Sequence, residues 1–150
     1  MIAATVGYDL IFLVHIVVAI ATIVILVSMR FSALSIVRGA DEATQRARFT
    51  HRTNWAARLF HLLPVTGLLM SLTGNASVSL TKPWIGVGIL IYFLGAAHLE
   101  ARTLPLERVV GEVVQHDGVA SPARGRQLVK SLDILLMLIA LALVAMIVQF

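Results

Sequence analysis

The sequence predicts an all-α polytopic membrane protein, a single domain over residues 1–150 arranged as an antiparallel bundle of four transmembrane helices. Three observations carry that expectation. The chain is 59% apolar and 13% charged, too poor in polar surface for an ordinary soluble domain of 150 residues. Its apolar residues gather into four long runs, 10–29, 56–73, 84–101 and 134–150. Of its 12 Lys and Arg residues, all but Lys82 fall in two of the three intervening loops. The net charge of +4 therefore reads as membrane topology and not as a nucleic-acid surface.

Crossing about 30 Å of hydrocarbon at 1.5 Å per residue takes about 20 residues, with about 17 as the lower limit. The first run qualifies alone, and the others qualify with their flanks. Lipid cannot satisfy backbone polar groups, so each span must be helical. A buried soluble helix competes as a reading of any one run, but four runs leave too little polar chain to cover them. Residues 1–9 carry no basic segment, so the first run reads as a span and not as a cleaved signal.

Arginines 30, 38, 46, 48, 52 and 58 lie between the first two spans, and Arg102, Arg108, Arg124, Arg126 and Lys130 between the last two. Cytoplasmic loops retain Lys and Arg, which puts those loops inside and both termini outside. Tyr8 and Trp84 then sit at the outer interface and Trp55 at the inner one.

The loops carry their own signals. Gly39 is a helix stop and Asp41 an N-cap, after which the pattern runs unbroken into the second span. Pro64 predicts a kink there. Leu106, Val109, Val110, Val113 and Val114 share one helical face, with Glu107, Arg108, Glu112 and Gln115 on the other. With Pro105 in the first turn, this predicts an amphipathic helix on the inner membrane surface between the third and fourth spans. Residues 118–125 read as a flexible connector into the last span.

Cysteine is absent, which excludes disulfides, thiol catalysis, iron–sulfur clusters and thiolate zinc sites. No phosphate loop, serine-nucleophile elbow or zinc-protease helix is present. The residues that stand out are ionisable ones inside spans, which are costly and point to function by default. His15 belongs to the outer half of the first span. His61 is early in the second span and His98 late in the third, so both fall at similar inner depth. Two imidazoles at matched depth are suited to ligating one haem iron or sharing a metal ion. Neutral histidines that hydrogen-bond neighbouring helices are the plainer alternative. His51 and His116 lie in loops and are expected to be solvated.

A second group gathers at the inner level: Arg58, Glu100, Arg102, Lys130 and Asp133. These read either as interhelical ion pairs, as a cradle for porphyrin carboxylates on Arg58 and Arg102, or as boundary residues reaching the headgroups. Asp133 cannot snorkel and needs a partner, with Arg58 and Arg102 the first candidates. Gly86, Gly88, Gly95, Ala96 and Ala97 thin the third span, for close helix approach or for a flat cofactor.

Several short motifs add a family resemblance: Leu13-Val-His15, Met29-Arg30-Phe31, Pro64 with Thr66-Gly67, Leu72-Thr73-Gly74, and Leu132-Asp133-Ile134-Leu135-Leu136. Together they resemble a group of small four-helix bacterial membrane proteins. That group includes an uncharacterised integral membrane family, the copper-resistance D domain and the membrane protoporphyrinogen oxidase that binds haem b. The resemblance implies a bacterial cytoplasmic membrane and a haem or substrate role for His15. It departs at residues 19–23, where a tryptophan and paired small residues are usual, and at the end, which lacks a basic tail. The uncharacterised family is thus the better match. Three functions follow as expectations: a haem b redox or porphyrin-related protein using His15, His61 or His98; a copper-handling protein using His15, Met29 and Met70; or a non-catalytic subunit. Beyond the bilayer, its partners would be further copies of itself or a larger membrane complex.

Overall fold

The computed structural model describes residues 2–50, 55–73, 80 and 82–148, with side chains from residue 7 onward; His51, Arg52, Asn75 and Phe150 lie outside the described residues. Helix α1 covers Ile2–Val37, α2 Glu42–Arg48, α3 Trp55–Thr73, α4 Pro83–His98, α5 Leu104–Asp117 and α6 Pro122–Val148. A π-helical turn over Leu99–Thr103 joins α4 to α5.

Four helical stretches are long and apolar enough to cross a bilayer: Gly7–Val37, Trp55–Thr73, Pro83–Asp117 and Pro122–Val148. At most 22% of the most apolar window of any of them is buried inside the protein. Leu10, Val17, Phe93 and Ile147 stand on the outside with many other large apolar residues. Hydrocarbon, not water, is the solvent that such a surface suits. The chain is a four-span integral membrane protein.

Successive spans run antiparallel. Helix α1 packs against both α3 and α6, and α4 packs against α6, whereas α3 and α4 meet only lightly. The packing order is therefore α3–α1–α6–α4. The core is built from Leu26 and Ile36 of α1, Phe60 of α3, Leu99, Val110 and Val114 beyond α4, and Leu128, Leu132 and Leu135 of α6. The α6 residues recur at i, i+4 and i+7, the single stripe a helix needs to bury one face. This core sits at the arginine-rich end of the bundle, and the opposite end is thinly packed.

Local structure follows the sequence at some joints and departs from it at others. Gly39 adopts φ 72°, the left-handed stop expected after α1. Asp41 caps α2 by accepting the Thr44 amide N–H at 3.1 Å. The helix does not then run on into the second span. It ends at Phe49, whose buried ring joins the core and whose carbonyl accepts the Gln115 side-chain N–H at 2.7 Å. Buried Gln45 completes that joint, donating to the Ala40 carbonyl and accepting the Ala120 amide N–H. Helix α3 passes through Pro64 as one element.

The segment 104–117 is helical, but it is continuous with α4. The Leu104 amide N–H donates to the Leu99 carbonyl, five residues back. Pro105 lacks an N–H and would crowd the carbonyl four residues before it, so a wider turn relieves the conflict. Val110 and Val114 of α5 turn into the protein core. The stretch 118–125 is no flexible connector: α6 begins at Pro122, and Gly125 lets it close on α1. A Cβ at Gly125 would stand 3.0 Å from Ile36.

Candidate functional site

Each span histidine is fixed by a different neighbour. His15 of α1 lies 2.7 Å, at Nδ1, from the Thr66 hydroxyl of α3. That hydroxyl has one proton, and the Leu62 and Leu63 carbonyls lie 3.1 and 3.0 Å away to receive it. His15 is then the donor through Nδ1–H, which leaves the Nε2 lone pair free.

His61 uses both ring nitrogens. Nδ1 lies 2.9 Å from the Tyr92 hydroxyl, and Nε2 lies 2.9 Å from a carboxylate oxygen of Glu100. A neutral imidazole satisfies both, accepting from Tyr92 and donating to Glu100. The Phe60 ring stacks on Tyr92 at 5.6 Å beside this pair. His98 faces α6 instead, donating through Nε2–H to the Ser131 carbonyl at 3.0 Å. The Ser131 hydroxyl also pairs with Thr103 at 2.9 Å.

Depth matching thus puts His61 and His98 at one level, but the two imidazoles face different helices. His61 meets the Tyr92 and Glu100 side of the α4 segment, whereas His98 meets α6. Among the described residues no group of three or more His, Asp or Glu side chains is gathered to hold a metal ion. Met29 follows His15 by fourteen positions on one helix, about 21 Å along the axis, so both cannot reach one copper ion. Met70 lies one turn beyond Thr66, the His15 partner on α3.

The charges at the arginine-rich end of the bundle find partners that depth alone does not indicate. Asp133 pairs with Arg30 of α1, at 2.5 Å, and not with Arg58 or Arg102. Helix α6 packs chiefly on α1 and α4, and it is α1 that brings Arg30 to Asp133. Arg58 instead lies over the Trp55 ring, 5.3 Å from its centroid. Arg102 is exposed within the π turn. Glu100 is the His61 partner. The thin stripe on α4 divides: Gly95 is buried, and a Cβ there would meet Phe60 at 2.8 Å, while Gly86 and Gly88 face open space. Phe60 and Leu135 fill the room that a flat cofactor would need beside Gly95.

Taken together, these polar contacts link the four neighbouring helix pairs. His15–Thr66 joins α1 to α3, Arg30–Asp133 joins α1 to α6, and His98–Ser131 joins α4 to α6. His61 with Tyr92 and Glu100 joins α3 to the α4 segment, where packing is lightest. No family model, curated protein or solved structure matches this chain.

Proposed function

We propose that this chain is a non-catalytic four-span subunit of a bacterial cytoplasmic membrane, whose span histidines tie helices together and bind no cofactor. The observation that supports this reading is that the three imidazoles are held by three different interhelical contacts and do not converge. Such contacts are worth about 0.6–2 kcal/mol each within a membrane, enough to fix the order of helices. The apolar outer faces are the surface through which the subunit packs against a larger membrane complex or further copies. Its basic loops are cytoplasmic, and the α5 segment is the element nearest the inner membrane surface. Reporter fusions at Asp41 and Gly118 read cytoplasmic in this topology, and fusions at Asn75 and after Phe150 read external.

Protein purified from haem-replete cells is expected to lack a Soret band, including after haem reconstitution. A band at one haem per chain sinks the reading. A solitary monomer after gentle detergent extraction counts against the subunit role.

One observation favours a second reading, in which His15 ligates haem b or copper. Its Nδ1–H is anchored by Thr66 and its Nε2 lone pair is free, the arrangement in which a second hydrogen bond orients a ligating imidazole. In that case the band is lost in His15→Ala and retained in His61→Ala and His98→Ala.

A further inference from the structure

A groove of about 280 Å³ runs along one face of α1 at the arginine-rich end, and nothing described above uses it. Its α1 wall is Val24, Ile25, Ser28, Met29 and Ser32, a stripe spaced at i, i+1, i+4, i+5 and i+8. Leu128 of α6, Phe49 and Arg48 at the end of α2, and Glu107 of α5 close the other sides.

The groove changes character along its length. Val24 and Ile25 make one end apolar. Ser28 and Ser32 follow, and Arg48 and Glu107 stand at the other end. The change falls at the level of Arg30, the first charged residue after the long apolar run of α1. The groove therefore straddles the boundary between hydrocarbon and headgroups. Arg48 is positioned there: its Nη1–H donates to the Phe31 carbonyl at 3.2 Å, using one of five N–H donors.

We propose that this groove is a binding site for one glycerophospholipid of the surrounding leaflet, with the phosphate on Arg48. The acyl chains enter along Val24 and Ile25, and the glycerol esters lie against Ser28 and Ser32. A guanidinium is the side chain best suited to grip a phosphate, through paired N–H donors. At about 280 Å³ the groove is at the small end for a whole ligand, so it takes the glycerol and upper chains and leaves the tails in the bilayer. Any hydrophilic solute would forfeit the apolar end, and any hydrocarbon would forfeit the arginine. A phospholipid satisfies both.

The test is native mass spectrometry of the full chain in mild detergent, titrated with phosphatidylglycerol, phosphatidylethanolamine or a diacylglycerol with the same tails. The wild-type chain is expected to retain one phospholipid and to bind diacylglycerol about tenfold more weakly, the loss of a charge-assisted contact. Arg48→Gln lowers phospholipid occupancy to a similar degree. Ser28→Leu fills the groove while keeping Arg48, and it too lowers occupancy, so a folding defect in one variant does not decide the matter. Arg38→Gln, an exposed arginine outside the groove, leaves binding unchanged. Equal retention of phospholipid by the wild type, Arg48→Gln and Ser28→Leu overturns the site. Equal retention of diacylglycerol and phospholipid overturns the assignment of the phosphate to Arg48.

Discussion

An ionisable side chain at a membrane boundary is stabilised by what it touches, and the sequence tells only how deep it lies. Asp133 illustrates both halves of that statement. Its need for a partner is legible, because a short carboxylate at the start of an apolar run cannot snorkel. Its partner is not, because Arg30, Arg58 and Arg102 all sit near one level and hydropathy carries no record of which helices are neighbours. The packing order α3–α1–α6–α4 decides in favour of Arg30. Both side chains are partly open, at 34% and 46% exposure, and stand where the apolar runs of α1 and α6 give way to the polar loops, so the pair is weighed as a boundary contact. Asp133→Asn is expected to lower the Tm in detergent by only about 2–4 °C. Combining it with Arg30→Gln adds little further loss, whereas combining it with Arg58→Gln is additive. Non-additivity with Arg58 in a double-mutant cycle contradicts the packing order itself.

At the scale of elements, the run lengths, the Gly39 stop and the Asp41 cap follow directly from residue chemistry. The break at Phe49 and the π turn before Pro105 do not. The break comes from the hydrogen bonds of Gln45 and Gln115, side chains whose tertiary roles have no periodic signature. The π turn is one of several ways in which the chain can relieve the crowding of Pro105. Asp41 gives a pH test of the cap. Thr44, through its hydroxyl and then its amide N–H, holds the Asp41 carboxyl below its ordinary value. A lowered folded pKa adds stability above about pH 3.9, and that stability is lost as pH falls through the depressed value. Asp41→Asn retains a cap without the titration, so its Tm and the wild-type Tm converge on acidification. A gap that widens as pH falls runs against this linkage.

Gly95 tests the contact between α4 and α3 at the same scale. Alanine gains up to about 1 kcal/mol in helix propensity, but a Cβ would stand 2.8 Å from the buried Phe60 ring. Forcing that ring aside costs about 1–3 kcal/mol, which outweighs the gain. Gly95→Ala is expected to be destabilising by up to about 2 kcal/mol, and Phe60→Leu in the same chain to restore part of the loss. Stabilisation by Gly95→Ala alone would show that Phe60 is free to move and that the α3–α4 contact is loose.

The whole molecule is an open chain of packed helices closed by one weak seam. Helices α1 and α6 are joined by extensive packing, as are α1 with α3 and α4 with α6, while α3 and α4 depend on Phe60 beside Gly95 and on His61. The two hydrogen bonds of His61 stand at the edge of a helix pair within a span, where such contacts are worth about 0.6–2 kcal/mol each. Removing both therefore leaves the fold standing and loosens one edge of it. His61→Phe keeps an aromatic ring of similar breadth while losing both contacts. The chain has no cysteine, so paired spin labels can be placed without background. Labels at exposed Leu62 of α3 and Leu94 of α4 report the seam, and labels at exposed Ile20 of α1 and Leu141 of α6 report the central pair. In His61→Phe the distance distribution between the first two is expected to broaden, while that between the second two stays narrow. Glu100→Gln, which keeps an acceptor for the Nε2–H, should give intermediate broadening. Equal broadening of both pairs would mean that the bundle yields as one body, and the histidines would then have no separate role in closing it.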